Sequence, residues 1–541
     1  MPARADTVLT GGRVFLGPGL GFAEAVAIWG GRVLATGAAD AIAALIGPDT
    51  TVIKLAGRLA VPGLNDAHQH MMSVGLGTFE IDLKHDGIRT IDDVLAAIKQ
   101  RVEQAAPGEW IFGRGYDHFV LDVKRHPLRE ELDRVAPDNP VYIKRTCGHM
   151  GVANSAALAM ASITEASPQP AGGHVESQNG RLTGLLQETA QNLVYAVFPP
   201  ASLERFVEGI EAGARLNLSH GITSCTDPAV GLREGYKDWR AYNAARRQDR
   251  LPQRMYLMPL AGATGWPERI VDMDIMTGDG DDWLRVGPMK LFADGSAGGK
   301  TAAMVEPYTG DAENTGIFIY GDEELHGYIA DYHALGFQVA THAIGDAAIE
   351  QVLSGYEKAM GNAVDTDRRH RIEHCGFLTD DQLGRMARIG VLPAPQPIFL
   401  YEFGDLYIDA LGHGRPERSY PMRRWQDAGL HPSASSDGPV SSTNPFRGLY
   451  TMVTRKTNRG TVLGLDEALS LEEAIGAYTV NSAYGAFEEG IKGTLEPGKL
   501  GDVAVLDTDL FATEPEAWLD ARCDLTVLGG SVVHDRLGQL T

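Results

Sequence analysis

The sequence predicts an α/β fold: a (β/α)8 barrel, with a small β-sandwich domain built from both chain ends and a large insertion after the first barrel strand. Three observations point there. Short apolar runs rich in Val, Ile and Ala recur through the middle of the chain, and amphipathic stretches such as Glu323–Ala334 and Ala347–Met360 follow several of them. Those runs end in histidine, aspartate or other polar residues, as the strands of a parallel barrel do at the face that carries chemistry. Both ends of the chain read instead as short strands separated by glycines, neither long enough to bury a core alone.

In chain order, the first strands are Thr7–Thr10, Arg13–Phe15, Ala25–Trp29, Arg32–Thr36 and Thr51–Lys54. The last are Val503–Asp507, Leu525–Leu528 and Ser531–His534, with Gly529 and Gly530 between the final two. Pairing the two sets gives one small β-domain of residues 1–60 plus 486–541. The barrel takes 61–485. Its eight candidate strands are Leu59–Leu64, Ile222–Cys225, Met255–Leu260, Val286–Phe292, Gln338–Ala340, Arg371–Glu373, Val391–Ala394 and Pro432–Ser435. About 160 residues separate the first two, so an insertion over about 75–215 is expected, with a strand candidate of its own at Pro140–Arg145.

Composition narrows the function classes. The chain has 541 residues, 44% hydrophobic and 22% charged, which is globular rather than disordered. Its 48 basic against 71 acidic residues leave a net charge of −23, which repels phosphate backbones and anionic membranes, so no nucleic acid partner is expected. Cys147, Cys225, Cys375 and Cys523 lie far apart with no CxxC pair, so neither a zinc ribbon nor a disulfide framework is indicated. There is no apolar secretory stretch at the start and no run of about 18 apolar residues; a cytoplasmic protein without a membrane span is expected.

The residues that carry chemistry begin at Val61-Pro-Gly-Leu-Asn-Asp-Ala-His-Gln-His70. On a strand, residues two apart share a face, so His68 and His70 can converge on one metal ion at the mouth of the first barrel strand. Taken alone, HxH also describes two hydrogen-bonded histidines beside a helix start. Further strands alter the balance: Gln338-Val-Ala-Thr-His342, His370-Arg-Ile-Glu-His374 and His431-Pro-Ser-Ala-Ser-Ser-Asp437 each end in a ligand-type residue, and Arg285-Val-Gly-Pro-Met-Lys290-Leu-Phe buries a lysine. Five ligand-type residues and one buried lysine on different strands point jointly to a metal site.

This pattern resembles the amidohydrolase superfamily. Lys290-Leu-Phe-Ala-Asp-Gly-Ser296, Thr341-His-Ala-Ile-Gly-Asp346, Arg371-Ile-Glu-His-Cys375 and Ser436-Asp-Gly-Pro439 are similar to its YtcJ-like branch, to which N-substituted formamide deformylases belong. In the insertion, Gly113-Arg-Gly-Tyr-Asp117, Gly148-His-Met-Gly-Val-Ala-Asn-Ser155 and Gly184-Leu-Leu-Gln-Glu188 agree, as does Gly493-Thr-Leu-Glu-Pro-Gly-Lys-Leu-Gly-Asp-Val-Ala-Val-Leu-Asp507 near the end.

The resemblance implies two divalent ions, zinc by expectation: one on His68, His70 and Asp437, the other on His342 and His374. It implies that Lys290 reacts with CO2 to give a carbamate bridging them; the alternatives are a single metal, or Lys290 in a buried salt bridge with Asp294. It also implies catalytic roles for Asp437, Lys290 and His342, with Asp437 shuttling a proton during hydrolysis of an amide, N-formyl or N-acyl amine. The same fold also serves lactones, carbamates, ureas, cyclic amides and mononuclear deaminations. His149, Asp294, Ser296, Tyr116 and Glu188 are the expected substrate contacts, with Asp117 beside them. Arg455 and Lys456 are basic candidates for an anionic group. Trp266, Tyr308, Tyr401, Phe403, Trp425 and Phe446 suit an apolar substrate group or, equally, the core. The expected partner is a small molecule, and a homodimer follows from base rates alone.

Overall fold

The computed structural model describes residues 4–84, 87–145, 150–170, 172–262 and 266–538. The chain forms two compact units: Met1–Gly75 with Phe206–Thr541, and Leu76–Arg205. No helix among the described residues is long and apolar enough to cross a membrane.

In the first unit, strands from both chain ends share one eight-stranded sheet. Its order is Ser531–Asp535, Cys523–Leu528, Val503–Leu506, Leu59–Pro62, Thr7–Gly17, Gly21–Trp29 and Arg32–Gly37, with Thr51–Lys54 also paired to Thr7–Gly17. Side chains alternate between its faces. Leu9, Val26, Ile28, Val503, Val505 and Val527 share one core, so each end completes the other's hydrophobic face. Val8, Ala25 and Ala27 point the other way, against Ile42.

This sheet corrects the expected first barrel strand. Leu59–Pro62 pairs antiparallel with Val503–Leu506 and so belongs to the terminal sheet. Only Leu64–Asp66 joins the parallel strands, pairing with Ile222–Val230. Gly63 makes the crossing between them. A Cβ there would lie 2.2 Å from Thr223 Oγ1, so the approach admits only glycine.

The parallel strands form two four-stranded sheets. One runs Leu284–Val286, Arg254–Pro259, Ile222–Val230, Leu64–Asp66; the other runs Met289–Phe292, Val339–Ala343, Arg371–His374, Leu392–Ala394. An isolated bridge between Leu260 and Lys290 links them. The expected run Val286–Phe292 is therefore two strands. Gly287 donates to Leu257 O and Pro288 has no N–H, which interrupts the ladder. The eighth expected strand, Pro432–Ser435, is extended chain outside any sheet. Pro432 offers no donor, and Ala434 N donates to Ala477 O instead of to a neighbouring strand. The segment still ties the sheets together: Ser433 N donates to Pro393 O, Ala67 N to Ala434 O and Asp437 N to His68 O.

The second unit is built on a six-stranded mixed sheet ordered Gly173–Gln178, Arg181–Glu188, Met150–Ala153, Val141–Arg145, Ile111–Tyr116, Ile81–Asp82. One of its cores holds Val94, Ile98, Leu132 and Ile143, and another holds Tyr142, Leu158, Leu186 and Val194.

Candidate metal centre

His68 and His70 follow the strand Leu64–Asp66 rather than lying on it, and the helix Met71–Gly77 starts directly after them. The strand alternation argument therefore does not set their geometry. Hydrogen bonds do. Asp66 is buried, and its Oδ1 accepts from His68 N at 3.2 Å and Ser436 N at 3.1 Å. Its Oδ2 accepts from Ser436 Oγ at 2.6 Å and Gln69 Nε2 at 3.2 Å. One carboxylate thus clasps the loop bearing both histidines to the loop bearing Asp437. Burial pushes the Asp66 carboxyl up to about 7 against these bonds. His70 N donates to Gly438 O at 2.9 Å, which closes the clasp.

Three ligand-type atoms converge there. Asp437 Oδ1 lies 3.3 Å from His70 Nε2 and 3.5 Å from His68 Nε2, without an aligned hydrogen bond to either. Ligand atoms on adjacent vertices around a tetrahedral zinc, at about 2.1 Å from the ion, stand about 3.4 Å apart. His68, His70 and Asp437 are the one group of three or more metal-ligating side chains among the described residues. Burial pushes the Asp437 carboxyl up, but His70, His68 and the Lys290 ammonium outweigh it and hold it below its usual range, so it is a carboxylate.

The ring of His68 is held from behind. Its Nδ1 donates to Glu373 Oε2 at 2.5 Å, and Arg371 holds Glu373 in turn through Nε to Oε1 at 2.7 Å and Nη2 to Oε2 at 2.9 Å. Such a carboxylate fixes the tautomer that leaves Nε2 free as an acceptor. Burial and the Lys290 charge keep His68 neutral, well below its ordinary range.

His374 and His342 continue the cluster. The His374 ring centroid is 4.9 Å from that of His68 and 4.4 Å from that of His342. His374 Nδ1 donates to Gln396 Oε1 at 2.5 Å, so its Nε2 is free as well. Burial, His342 and His68 hold it neutral. His342 Nε2 faces Gly295 O at 3.0 Å and Asp294 Oδ1 at 3.3 Å. Two of these residues sit in strained backbone. His374 (φ 67°) and Asp437 (φ 54°) are left-handed, which costs a non-glycine residue about 1–3 kcal/mol and clusters at functional sites.

Lys290 is fully buried, and its Nζ has no hydrogen-bond partner among the described residues. Burial pushes its pKa down to about 8, against the pull of the Glu373 and Asp437 carboxylates. Lys290 Nζ and Asp437 Oδ1 are both buried without a hydrogen-bond partner among the described residues, the pattern of a site completed by a bound group.

The substrate-contact expectations fare differently. His149 lies outside the described residues. Asp294 is buried, and its carboxylate accepts from Ile344 N at 3.0 Å and from Gly345 N and Ala303 N at 2.9 Å, so it braces loops rather than facing a substrate. Ser296 is exposed, and its Oγ accepts from Gly299 N within its own turn. Tyr116 belongs to the core of the Leu76–Arg205 unit, with its hydroxyl 3.0 Å from His126 Nδ1. Glu188 is exposed at the end of a strand of that unit, and Asp117 there accepts from Arg145 Nη2. Arg455 is buried and donates to the carbonyls of Leu463, Tyr420 and Ser419, which corrects its reading as a candidate for binding an anionic group. Lys456 pairs with Glu516. Trp425, Tyr308, Phe446 and Trp266 are core residues.

Sequence reasoning gave no role to Glu373, Arg371, Gln396 or Asp66. Their signal was a charged or amide residue placed inside or directly beside an apolar strand, one or a few positions from a ligand candidate.

Comparison with known proteins shows the family. The sequence profile described as "Amidohydrolase family" matches residues 51–534. The chain belongs to the amidohydrolase family. It is 31% identical to YtcJ of Bacillus subtilis (strain 168) over 95% of this chain and 96% of that one. It is 30% identical to the N-substituted formamide deformylase of Arthrobacter pascens, again over 95% and 96%. These relatives put it in the YtcJ-like branch. The crystal structure of an uncharacterized metal-dependent hydrolase from Pyrococcus horikoshii OT3 superposes with a TM-score of 0.77 at 25% identity, covering 94% of this chain and 99% of that one. As an amidohydrolase, the protein is an enzyme of carbon–nitrogen bonds other than peptide bonds.

Proposed function

We propose that this amidohydrolase is a metal-dependent hydrolase that cleaves the C–N bond of a small amide, N-formyl or N-acyl amine. The observation that carries this reading is the convergence of His68 Nε2, His70 Nε2 and Asp437 Oδ1 at the spacing of a tetrahedral ligand set. In this reading the two parallel sheets are the halves of a closed (β/α)8 barrel, and the ligands stand at its mouth.

His68, His70 and Asp437 would hold one divalent ion, zinc or another first-row ion that imidazole and carboxylate donors suit, and His342 and His374 a second. A bound divalent ion supplies positive charge that acidifies water and polarises a carbonyl. Burial lowers Lys290 to about 8, and its free-amine form would add CO2, an N–C bond forming as one proton leaves, to give a carbamate that would supply an anionic group to the two histidine sets. The protein's own groups do the rest. Glu373 and Arg371 lock the His68 tautomer, Gln396 locks His374, and Asp66 fixes the distance between the two ligand loops. Asp437 accepts a proton from the attacking water at a carboxylate oxygen and returns it to the leaving nitrogen, without which an amine is a poor leaving group.

The test is a screen of N-formyl and N-acyl amines with wild-type protein, chelated protein and Asp437→Asn. Amine release that vanishes on chelation, returns with zinc and falls at least about a hundredfold in Asp437→Asn is expected. Release that survives chelation, or none from any N-acyl amine by zinc-loaded protein, contradicts the reading.

A further inference from the structure

The candidate ligand histidines are not held alike. His68 Nδ1 is committed to Glu373 and His374 Nδ1 to Gln396, whereas His70 Nδ1 meets no hydrogen-bond partner among the described residues. A histidine that ligates a metal through one nitrogen almost always donates its other N–H to a carboxylate, a carbonyl or a water. His70 borders a small cavity, which it shares with Ser73, Asp227, Asp238 and Tyr242. The cavity measures about 10 Å³, the room of one water. Asp437, which His70 Nε2 faces at 3.3 Å, does not line it.

Asp227 is the acid on that wall with acceptor capacity to spare. It is buried on the strand Ile222–Val230, and its Oδ2 accepts from the Tyr242 hydroxyl and from Met72 N at 3.4 Å. Thr226 O, one residue earlier, accepts from Gln69 N at 2.9 Å. The strand therefore grips the chain on both sides of His70. Tyr242, itself buried on the helix Tyr236–Arg247, fixes the carboxylate from behind. Both of those bonds fall on Oδ2; a carboxylate offers about four lone-pair sites, so even with Ala229 N close by the group still accepts at Oδ1. Burial pushes the Asp227 carboxyl above its ordinary range, and His70 is the strongest influence opposing that shift. Asp238, the other acid on the wall, is committed through both oxygens to Gly231 N and Arg233 N at 3.1 Å and Glu234 N at 3.2 Å. Ser73 Oγ accepts from Arg233 Nε at 3.2 Å and keeps its own proton to give.

We propose that Asp227 is the positioning residue for His70, acting through one water held in this cavity: His70 Nδ1–H donates to the water, and the water donates to Asp227 Oδ1. The bridge selects the tautomer whose Nε2 is an acceptor, as Glu373 does directly for His68 and Gln396 for His374. This rests on the metal-centre reading above, and the test separates the two.

The first readout is a crystal structure of the metal-free full-length protein, expected to show one water within hydrogen-bond distance of both His70 Nδ1 and Asp227 Oδ1. The second is the zinc dissociation constant, measured by competition with a chelating dye for wild type, Asp227→Asn and Asp227→Glu, with melting temperatures of the metal-free proteins confirming the fold. In Asp227→Asn the amide oxygen keeps the Tyr242 and Met72 bonds, and an NH2 group replaces the oxygen that accepts from the water. Zinc affinity is expected to fall about 10–100-fold. Asp227→Glu, whose longer arm carries a carboxylate into the place of the water, restores most of it. A merely structural role predicts the opposite order, because asparagine matches aspartate in shape and glutamate does not. No water at that position, wild-type zinc affinity in Asp227→Asn, or weaker binding in Asp227→Glu than in Asp227→Asn overturns the proposal. Should Asp227→Asn not fold, the crystallographic water decides. Wild-type protein that binds no zinc overturns the metal-centre reading instead, and the same water then supports or overturns the bridge by itself.

Discussion

The Nε2 of His68 is left open because its Nδ1 is committed to Glu373, and Glu373 is itself gripped by Arg371 through both carboxylate oxygens in the buried interior. The three residues act as one device. Glu373→Gln replaces the carboxylate by an amide that no longer balances Arg371. Unbalancing a buried charge costs about 3–5 kcal/mol of stability, and loss of such a partner weakens metal binding about 10–100-fold. Both are expected in Glu373→Gln, read as a lower melting temperature of the metal-free protein and a higher dissociation constant for zinc; unchanged zinc affinity would show that Glu373 does not orient His68. At this scale the sequence was most legible for the candidate ligands. His68, His70, Lys290, His342, His374 and Asp437 have side chains whose chemistry is unusual at the end of an apolar run. Glu373 was not legible as a partner, because it meets His68 across 305 positions of chain, and nothing local records that meeting. Asp294 and Arg455 misled for the converse reason: their polar atoms are satisfied by backbone groups that a sequence does not reveal.

Among the elements, the helix Met71–Gly77 decides where His70 points. It packs against the helix Leu203–Ser219 by backbone contact: a Cβ on Gly75 would lie 1.7 Å from Gly209 O, and one on Gly213 would lie 2.8 Å from Met71 O. No side chain can rotate away to relieve a clash with backbone. Gly75→Ala is therefore expected to push the helices apart at a cost of about 1–3 kcal/mol, lowering the melting temperature and, by shifting His70, the zinc affinity. A variant with wild-type melting and zinc binding would show that this contact does not set the site. Strand prediction failed where proline stood. Pro288 splits one expected strand and Pro432 removes another from the ladder, although both runs are apolar enough to read as strands. The second unit was almost silent in the sequence: Gly173–Gln178 buries a single residue, Val175, while Met150–Ala153 and Arg181–Glu188, which bury three and five residues in a row, carry Gly151, Thr183 and Gly184 inside those runs and so do not read as apolar strands. Val141–Arg145, with three buried residues in a row, was the one strand that apolar patterning revealed there.

At the scale of the molecule, the two chain ends meet in one sheet because neither end alone holds enough apolar surface; Leu9 and Val26 from one and Val503 and Val527 from the other share a single core. That pairing was legible in composition, while the crossing at Gly63, which moves Leu59–Pro62 into the terminal sheet, was not. The sheet is also anchored to the parallel strands by a buried ion pair, Arg254 Nε to Asp502 Oδ2 at 2.7 Å. In the proposed reading, strand ends and loops drawn from the whole chain bring His68, His70, His342, His374, Asp437 and Lys290 to one metal-holding site. Metal content per chain tests it most directly, measured by elemental analysis of protein purified without chelators in bicarbonate buffer, for wild type and Lys290→Ala. About two equivalents in wild type, falling sharply in Lys290→Ala, is the predicted result. About one equivalent, unchanged by that substitution, would contradict the bridging role of Lys290, and no bound metal in either protein would contradict the site itself.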